Sequence, residues 1–313
     1  MDLELRVDQR CTVADGIIEL TLVRPDGDVL PPWEAGAHID LELGDLLRQY
    51  SLTGLEARDD RWRVSILREP DSRGGSRYAH DSLQEGATVH VSVPRNHFRL
   101  DAKAPQVLFV AGGIGITPIL PMIAQLEAAG TPWSLFYCGR SRTSMAYLDE
   151  LAKLGDRVSI RPDDEFGIPD LDSVVSATDA DAVVYSCGPE GLLSALEICC
   201  AHPIHTRTLH VERFVPKVVE LTEPNHDFEV EFAQSGVTVT VPAGRSILEV
   251  ADETGVDIIS SCSEGTCGTC ETPVLEGVPD HRDSVLTTEE QASCTTMMPC
   301  VSRAKSPRLV LDV

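Results

Sequence analysis

Three hydrophobic patterns follow one another along this chain. Through roughly the first hundred residues, short runs of alternating apolar and polar residues are separated by Gly, Pro and Asp. Such runs predict a small antiparallel barrel, because successive side chains of a strand point to opposite faces. We expect residues 1–101 to form this domain. The clearest predicted strands are Ile17–Val23, His38–Leu43, Arg61–Leu67 and Ala87–Val93.

The second pattern alternates strands with helices and predicts a doubly wound α/β domain over residues 102–222. Gln106–Ala111 is a continuous apolar run, which is typical of a buried parallel strand. Thr117 and Pro118 predict the N-cap and first residue of a helix that ends at Gly130. Further expected strands are Trp133–Cys138, Val158–Arg161, Ala182–Ser186 and Leu209–Phe214, with helices near Ala146–Leu154 and Glu190–Cys200.

The third pattern follows a predicted linker at Val219–Asn225 and defines a third domain, residues 223–313. Two alternating runs within Phe228–Val241 predict a β-hairpin. Ser246 and Glu249 have the spacing of a capping box, which predicts a short helix that stops at Gly255. A cysteine-rich loop follows directly.

Four cysteines have the spacing of metal ligands: Cys262-x4-Cys267-x2-Cys270, followed much later by Cys300. This is the spacing of a plant-type [2Fe–2S] site. Glycines between the ligands allow a backbone to wrap around a cluster. Structural zinc is the competing interpretation, but zinc sites usually have two matched pairs, and only one C-x2-C pair is present here. We therefore predict that these four thiolates hold a [2Fe–2S] cluster.

The formal net charge of −24 argues against nucleic acid or anionic membrane as a partner, since phosphates would be repelled. A partner protein with a basic patch is favoured. The alternative is that the negative charge only keeps the protein soluble. The N-terminus lacks the regions of a signal peptide, so the expected location is the cytoplasm. The other cysteines are scattered and are interpreted as small buried residues: Cys11, Cys138, Cys187, Cys199, Cys200 and Cys294.

Two segments of the barrel domain offer groups for a flavin. Arg48-Gln49-Tyr50-Ser51 supplies a cation for phosphate, an aromatic face and a hydroxyl. Arg73-Gly74-Gly75-Ser76 exposes successive amides and predicts a phosphate nest. The alternative is that Tyr50 is a core aromatic residue and Arg48 a surface charge.

Two glycine-containing turns of the α/β domain predict a nucleotide site. Gly112-Gly113-Ile114-Gly115-Ile116-Thr117-Pro118 follows a buried strand and opens a helix, which suits a pyrophosphate. Ser186-Cys187-Gly188-Pro189-Glu190 repeats that geometry, and both turns belong at the carboxyl edge of the sheet. Tight packing alone is the other explanation for these glycines. Between the turns, Gly139-Arg140-Ser141-Arg142 suggests either a 2′-phosphate contact or solvated charges.

The cysteine loop, with its hairpin and capped helix, resembles a plant-type ferredoxin domain, which implies a β-grasp fold. The order of barrel, nucleotide domain and ferredoxin makes the whole chain similar to the phthalate dioxygenase reductase branch of the ferredoxin–NADP reductase superfamily, which includes vanillate demethylase reductases. The resemblance implies FMN, rather than FAD, bound at Arg48, Tyr50, Ser51, Gly74, Gly75 and Ser76.

The same resemblance implies an NADH site, with NADPH tolerated. Its residues match Gly112, Gly113, Gly115, Thr117, Cys187, Gly188 and Pro189, with Phe214 beside the flavin. Cys187 as an ordinary buried thiol and Phe214 as an interdomain core residue remain open alternatives.

The implied function is electron transfer from NADH through FMN and the cluster to a separate terminal oxygenase, with the Rieske type favoured. Because the cofactors carry the chemistry, no catalytic side chain is expected. An acidic face around the cluster would suit a basic partner; it comprises Glu264, Glu271, Glu276, Asp280, Asp283, Glu289 and Glu290. The alternatives are reduction of a cytochrome P450 and a non-catalytic redox sensor, for which no spare regulatory segment is evident.

Overall fold

The computed structural model describes residues 2–56, 58–202, 207–217 and 224–313. Its chain divides into two compact units, the first ending at Glu212 and the second running from Arg213 to Val313. Most of the predicted linker lies outside the described residues. The domain limits expected from the sequence therefore remain a prediction, and each unit is described by itself.

The first part of the first unit is the expected antiparallel barrel. Its strands are β1 (Leu3–Ala14), β2 (Ile17–Val23), β3 (His38–Leu43), β4 (Leu46–Ser51), β5 (Trp62–Leu67) and β6 (Thr88–Val91). They pair in the order β4-β3-β6-β1-β2-β5. A bridge between Leu52 and Val64 connects the two edges and closes the sheet. Helix α1 (Gly75–Ser82) follows β5.

Strand β2 is buried along nearly its whole length rather than on alternate residues. Leu20 and Leu22 point into the barrel, whereas Ile17 belongs to the core of the α/β domain. The buried carboxylate of Glu19 accepts a hydrogen bond from the Tyr147 hydroxyl at 2.7 Å. The outer face of β2 thus packs against the α/β domain, which explains why both belong to one compact unit.

The second part of this unit is a five-stranded parallel sheet. The strands are β7 (Val107–Gly112), β8 (Trp133–Gly139), β9 (Val158–Pro162), β10 (Val183–Cys187) and β11 (Leu209–Glu212), in the order β11-β10-β7-β8-β9. Helices α2 (Ile119–Ala129), α3 (Leu148–Ala152), α4 (Asp163–Phe166), α5 (Leu171–Ser176) and α6 (Glu190–Ala201) connect them. Phe109 and Leu108 are neighbours on β7 and point to opposite faces of the sheet. Each therefore belongs to a different apolar core. The predicted doubly wound domain is confirmed.

The start of helix α2 differs from the sequence prediction. Gly113–Ile116 forms a 3-10 turn that continues into the helix, so the backbone of Thr117 is already helical (φ −60°, ψ −48°). The Thr117 hydroxyl donates back to the Ile114 carbonyl at 3.0 Å instead of capping α2. The N-cap prediction is therefore wrong. Gly130, in the left-handed conformation at φ +69°, ends the helix as expected.

The second unit has a β-grasp arrangement. Its strands are β12 (Phe228–Phe232), β13 (Val237–Val241), β14 (Thr272–Glu276), β15 (Pro279–Asp280), β16 (Thr296–Met297), β17 (Arg303–Ala304) and β18 (Arg308–Leu311). The main sheet has the order β13-β12-β18-β14-β16, with β12 and β18 parallel. Its helices are α7 (Ile247–Glu253) and α8 (Thr288–Ser293).

Helix α7 covers the core of this sheet with Ile247, Val250 and Ala251. The predicted capping box is present: Ser246 Oγ accepts from the Glu249 amide at 3.1 Å, and the Ser246 amide donates to Glu249 Oε2 at 2.8 Å. Among the helices that the structure describes, none has the length and apolarity needed to cross a membrane.

Candidate cofactor sites

The four predicted cluster ligands come together in the second unit. Cys270 and Cys300 bring their sulfurs to within 3.3 Å of each other, and a side-chain hydrogen bond joins Cys262 to Cys267. The four thiols therefore approach each other as two pairs. Two pairs fit the two irons of a [2Fe–2S] cluster, whereas tetrahedral zinc requires four ligands around one point.

The loop that carries three of these cysteines directs donors at their sulfurs. The amides of Glu264 and Thr266 lie 3.3 and 3.5 Å from Cys262 Sγ. The Cys267 side chain, and then the Thr266 amide, hold the pKa of the Cys262 thiol below its ordinary range, which favours the thiolate that binds iron. Gly265 has φ +70°, and a Cβ there would fall 2.6 Å from Val301 Cγ2, so the wrapping requires glycine.

The acidic face expected around the cluster is only partly present. Glu271, Glu276, Glu289 and Glu290 are exposed. Asp283 is not part of the surface, because its side chain is fully buried. Its Oδ1 atom accepts hydrogen bonds from two following amides. The sequence interpretation of Asp283 as a surface carboxylate is therefore wrong.

The two segments of the barrel that are predicted to bind flavin lie next to each other. A Cβ on Gly75 would fall 2.7 Å from Arg48 Cγ, so the start of α1 lies directly against β4. Gly74, at φ +107°, precedes the helix in a conformation that favours glycine. The Arg48 side chain therefore lies beside the amides at the N-terminus of α1, while Tyr50, on the same strand, packs against the barrel core. This set fits a flavin with one phosphate.

The polar side chains of this site differ in their freedom to bind a ligand. Burial raises the pKa of the Tyr50 phenol to about 12, against the opposing effect of Arg48, so the phenol stays neutral. Ser76 Oγ already donates to Ser72 Oγ at 3.0 Å and accepts from the Glu69 amide at 3.2 Å. Ser76 thus stabilises its own loop, and its contact with phosphate remains a prediction.

The two glycine-containing turns of the α/β domain contact each other through their backbones. A Cβ on Gly115 would fall 2.2 Å from the Cys187 carbonyl oxygen, and one on Gly112 would fall 2.6 Å from Pro189 Cδ. A Cβ on Gly188 would fall 2.9 Å from Gly112 Cα. Tight packing therefore explains these three glycines. Gly113 is different, because it has φ +54° and open space around its Cβ position, as a ligand-facing turn requires.

A carboxyl group that the sequence analysis missed completes this edge of the sheet. Glu212, the last residue of β11, pairs in register with Cys187, the last residue of β10. A hydrogen bond joins the Glu212 carboxyl to the hydroxyl of Ser51, which ends β4. Ser51, Cys187 and Glu212 thus connect the barrel to the carboxyl edge of the parallel sheet. The available signal was an acidic residue at the end of a predicted strand of the parallel sheet.

All three of these side chains are uncharged near neutral pH. Burial raises the pKa of Glu212 to about 8, only partly offset by the Ser51 hydrogen bond. Its Oε2 atom is buried and has no hydrogen-bond partner among the described residues. Burial, and then the neighbouring Glu212, raise the pKa of the Cys187 thiol well above its usual range. A reactive thiolate at Cys187 is therefore disfavoured.

One of the two arginines in the turn after β8 is already paired with a carboxylate. Arg142 forms a bidentate pair with Glu165, at 3.0 and 2.8 Å. Three acidic residues follow the next strand, β9, where Asp163, Asp164 and Glu165 begin α4. The Asp164 amide donates to the Arg140 carbonyl at 3.1 Å and so joins the two turns. This arrangement favours a ribose 2′-hydroxyl over a phosphate.

Phe214 lies in the second unit and is 44% exposed. Its predicted place beside the flavin remains a prediction.

Two domain families match the chain: residues 230–305 match the 2Fe-2S iron-sulfur cluster binding domain, and residues 109–161 match the oxidoreductase NAD-binding domain. The chain is 45% identical to phenoxybenzoate dioxygenase subunit beta of Ectopseudomonas oleovorans, over 99% of this chain and 97% of that protein. The crystal structure of phthalate dioxygenase reductase is 38% identical, with a TM-score of 0.71, over 99% of this chain and 98% of the other. This chain belongs to the phthalate dioxygenase reductase family.

Membership of the phthalate dioxygenase reductase family gives the cofactors FMN, NADH and a [2Fe–2S] cluster. The chain is an electron-transfer oxidoreductase and the reductase component of an oxygenase system. An intact type IV self-sufficient cytochrome P450 monooxygenase is also similar, at 46% identity and a TM-score of 0.92. This chain spans 41% of the length of that protein.

Proposed function

We propose that this reductase transfers electrons from NADH to a separate terminal oxygenase of the Rieske type. The contact between β4 and the carboxyl edge of the parallel sheet supports the first step of this path, from NADH to FMN. Hydride transfer requires a nicotinamide and a flavin ring to touch, and Ser51, Cys187 and Glu212 meet at the place where the two predicted sites adjoin.

The residues of the first unit have distinct proposed roles. Arg48 and the amides of Gly74 and Gly75 would hold the FMN phosphate, while Tyr50 and Ser51 would orient the ring. The turn at Gly113 would receive the NADH pyrophosphate, and Cys187 would lie against the nicotinamide. When bound, FMN and the cluster together convert a two-electron donation into single-electron transfers.

The neutral state of Glu212 suits this chemistry. Hydride transfer moves negative charge towards the flavin, and a fixed carboxylate at close range would oppose that movement in a region of low dielectric. The protonated Glu212 avoids this repulsion and can donate a hydrogen bond. We propose Glu212 as a residue of the hydride-transfer site, in addition to those expected from the sequence.

The four cysteines of the second unit would ligate the [2Fe–2S] cluster, with Cys262 and Cys267 on one iron and Cys270 and Cys300 on the other. The pairing of their sulfurs supports this assignment. Exposed carboxylates at Glu271, Glu289 and Glu290 support docking to a basic surface of the partner. Such contacts accelerate encounter without requiring a permanent complex.

The cytoplasm is the proposed location. None of the ten cysteines, all of which the structure describes, is joined in a disulfide, which suits a reducing compartment.

A cytochrome P450 is the second candidate partner, and the similarity to a self-sufficient P450 is the observation that favours it. Reconstitution distinguishes the two. The purified reductase is mixed with NADH and either a Rieske oxygenase or a P450 that lacks its own reductase, and product formation is measured at low and high ionic strength. Salt-sensitive turnover with the Rieske oxygenase alone is expected, whereas turnover with the P450 alone would contradict the proposal.

A further inference from the structure

A buried carboxylate lies beside the loop that carries three of the four cluster cysteines. The Asp283 side chain is 0% exposed and that of His281 is 7% exposed. Asp283 Oδ2 and His281 Nδ1 are 3.8 Å apart, which is longer than a hydrogen bond. Among the described residues, Asp283 Oδ2 and both ring nitrogens of His281 have no hydrogen-bond partner. Since buried polar groups are normally paired, this arrangement needs an explanation.

Asp283 contacts the cysteine loop through its backbone and its Cβ atom. A Cβ on Gly265 would fall 3.1 Å from Asp283 Cα and 3.3 Å from Asp283 Cβ. The next residue, Ser284, donates its amide hydrogen to the Gly265 carbonyl at 2.8 Å. The Gly265 amide in turn forms a hydrogen bond with the sulfur of Cys300. Gly265 therefore contacts both Asp283 and a predicted cluster ligand.

The carboxylate is held in place and cannot turn towards water without breaking several contacts. Asp283 Oδ1 accepts from the amides of Val285 at 3.0 Å and Leu286 at 2.8 Å. The side chains of Val285 and Leu286 pack against the small core that contains Cys270 and Cys300. Asp283 is thus fixed on the segment that supports the cysteine sulfurs.

The Asp283 carboxyl is ionised near neutral pH. Burial raises its pKa, but His281 and the amides of Leu286 and Val285 together lower it by more. The pKa of Asp283 therefore lies below its ordinary value. A buried charge is screened by salt much less than an exposed one, and its electrostatic effect is larger in a region of low dielectric. Because reduction adds a negative charge to the cluster, such a carboxylate disfavours the reduced state.

We propose that the negative charge of Asp283, which has His281 beside it, lowers the reduction potential of the [2Fe–2S] cluster. A lower potential makes the reduced cluster a stronger electron donor to the terminal oxygenase. The inference rests on the proposed ligation of the cluster by Cys262, Cys267, Cys270 and Cys300.

A redox titration of the full chain tests this proposal, with the cluster followed by its visible absorption and its electron paramagnetic resonance. Asp283→Asn removes the charge but keeps an oxygen to accept the two amides. The variant should retain wild-type iron and sulfide and have a more positive potential. A tenfold change in this one-electron equilibrium corresponds to about 59 mV. Asp257→Asn is the matched control, because it removes an exposed charge shortly before Cys262.

A cluster-loaded Asp283→Asn protein with the potential of the Asp257→Asn control would overturn the proposal. If Asp283→Asn fails to retain the cluster, Asp283→Ser also removes the charge and keeps a hydroxyl acceptor for the turn. A positive shift in that variant supports the proposal. Loss of the cluster from both would assign Asp283 a purely structural role and overturn it. Wild-type protein without iron and sulfide would instead contradict the proposed ligation itself.

Discussion

Three neutral side chains, Ser51, Cys187 and Glu212, meet where β4 reaches the carboxyl edge of the parallel sheet. Their chemistry depends on burial more than on residue type, because a carboxyl and a thiol in water would titrate at quite different pH values. At this scale the environment of a residue decides its role. A sequence pattern identifies Ser51 and Cys187, but not the burial that keeps Glu212 protonated.

Glu212→Gln tests this burial through the pH dependence of stability. The pKa of Glu212 is raised from 4.5 to about 8, so between these values the folded chain keeps a proton that the unfolded chain has lost. The resulting stability is complete below pH 4.5 and is lost as the pH rises through 8. Between about pH 5 and pH 9, the free energy of unfolding should therefore decrease less in the variant than in the wild type. The difference between the two decreases should be roughly 2–5 kcal/mol.

Urea unfolding followed by tryptophan fluorescence measures this difference, because all three tryptophans lie in the first unit. Glu42→Gln, which changes an exposed carboxylate on β3, is the control and should behave as the wild type. Identical pH dependence in wild type and Glu212→Gln would show that Glu212 is not a buried, protonated group.

At the scale of elements, we expect the turns after β8 and β9 to set the preference between NADH and NADPH. Three acidic residues begin α4, and one of them, Glu165, pairs with the Arg142 guanidinium through two hydrogen bonds. A paired guanidinium contributes little to binding a 2′-phosphate, and the surrounding carboxylates repel one. The selectivity therefore depends on two neighbouring turns rather than on one.

Glu165→Gln should release Arg142 and improve the use of NADPH. We expect the KM for NADPH to fall about two- to fivefold, the range for an exposed ion pair, with the KM for NADH little changed. Steady-state reduction of a two-electron dye measures both constants. Glu127→Gln breaks the comparable Arg157–Glu127 pair elsewhere in the domain and should leave the selectivity unchanged. An equal effect of both variants would refute a specific role for Glu165.

The elements whose limits can be predicted are those that are defined by a local sequence pattern. Strands β2 and β3 have the limits expected from the sequence, because alternation and Gly or Asp boundaries define them locally. The capping box of α7 is equally local. The start of α2 was not predictable, because the 3-10 turn before it depends on contacts between Gly115 and the Cys187 backbone, which are distant in sequence.

The candidate sites follow the same division. The cysteine spacing alone predicts the cluster ligands, since a loop ligand set has a fixed local spacing. Glu212 and Asp283 required the structure. Glu212 becomes significant only when β11 is paired with β10. Asp283 resembles any surface carboxylate until the packing of its segment against Gly265 is known.

At the scale of the whole molecule, the two units divide the chemistry. Apart from Phe214, the residues predicted to bind flavin and nucleotide lie in the first unit, and the four cysteines predicted to hold the cluster lie in the second. Each unit has its own core, so removal of the cluster should leave the first unit folded and functional.

Cys267→Ala tests this division. The variant should lose nearly all NADH-dependent reduction of cytochrome c, a one-electron acceptor, because delivery of single electrons requires the cluster. Reduction of a two-electron dye by NADH should remain largely intact. Cys294→Ala, a change outside the four-cysteine set, is the matched control and should retain both activities. Persistent cytochrome c reduction without a cluster would show that electrons leave directly from the flavin.

An anaerobic titration with NADH tests the path most directly. Purified protein with its FMN, iron and sulfide determined is titrated while flavin absorbance and the paramagnetic signal of the reduced cluster are recorded. If NADH, FMN and the cluster lie on one path, both centres become reduced by NADH, with about three electrons taken up per chain. Bleaching of the flavin with the cluster left oxidised would contradict the proposed path.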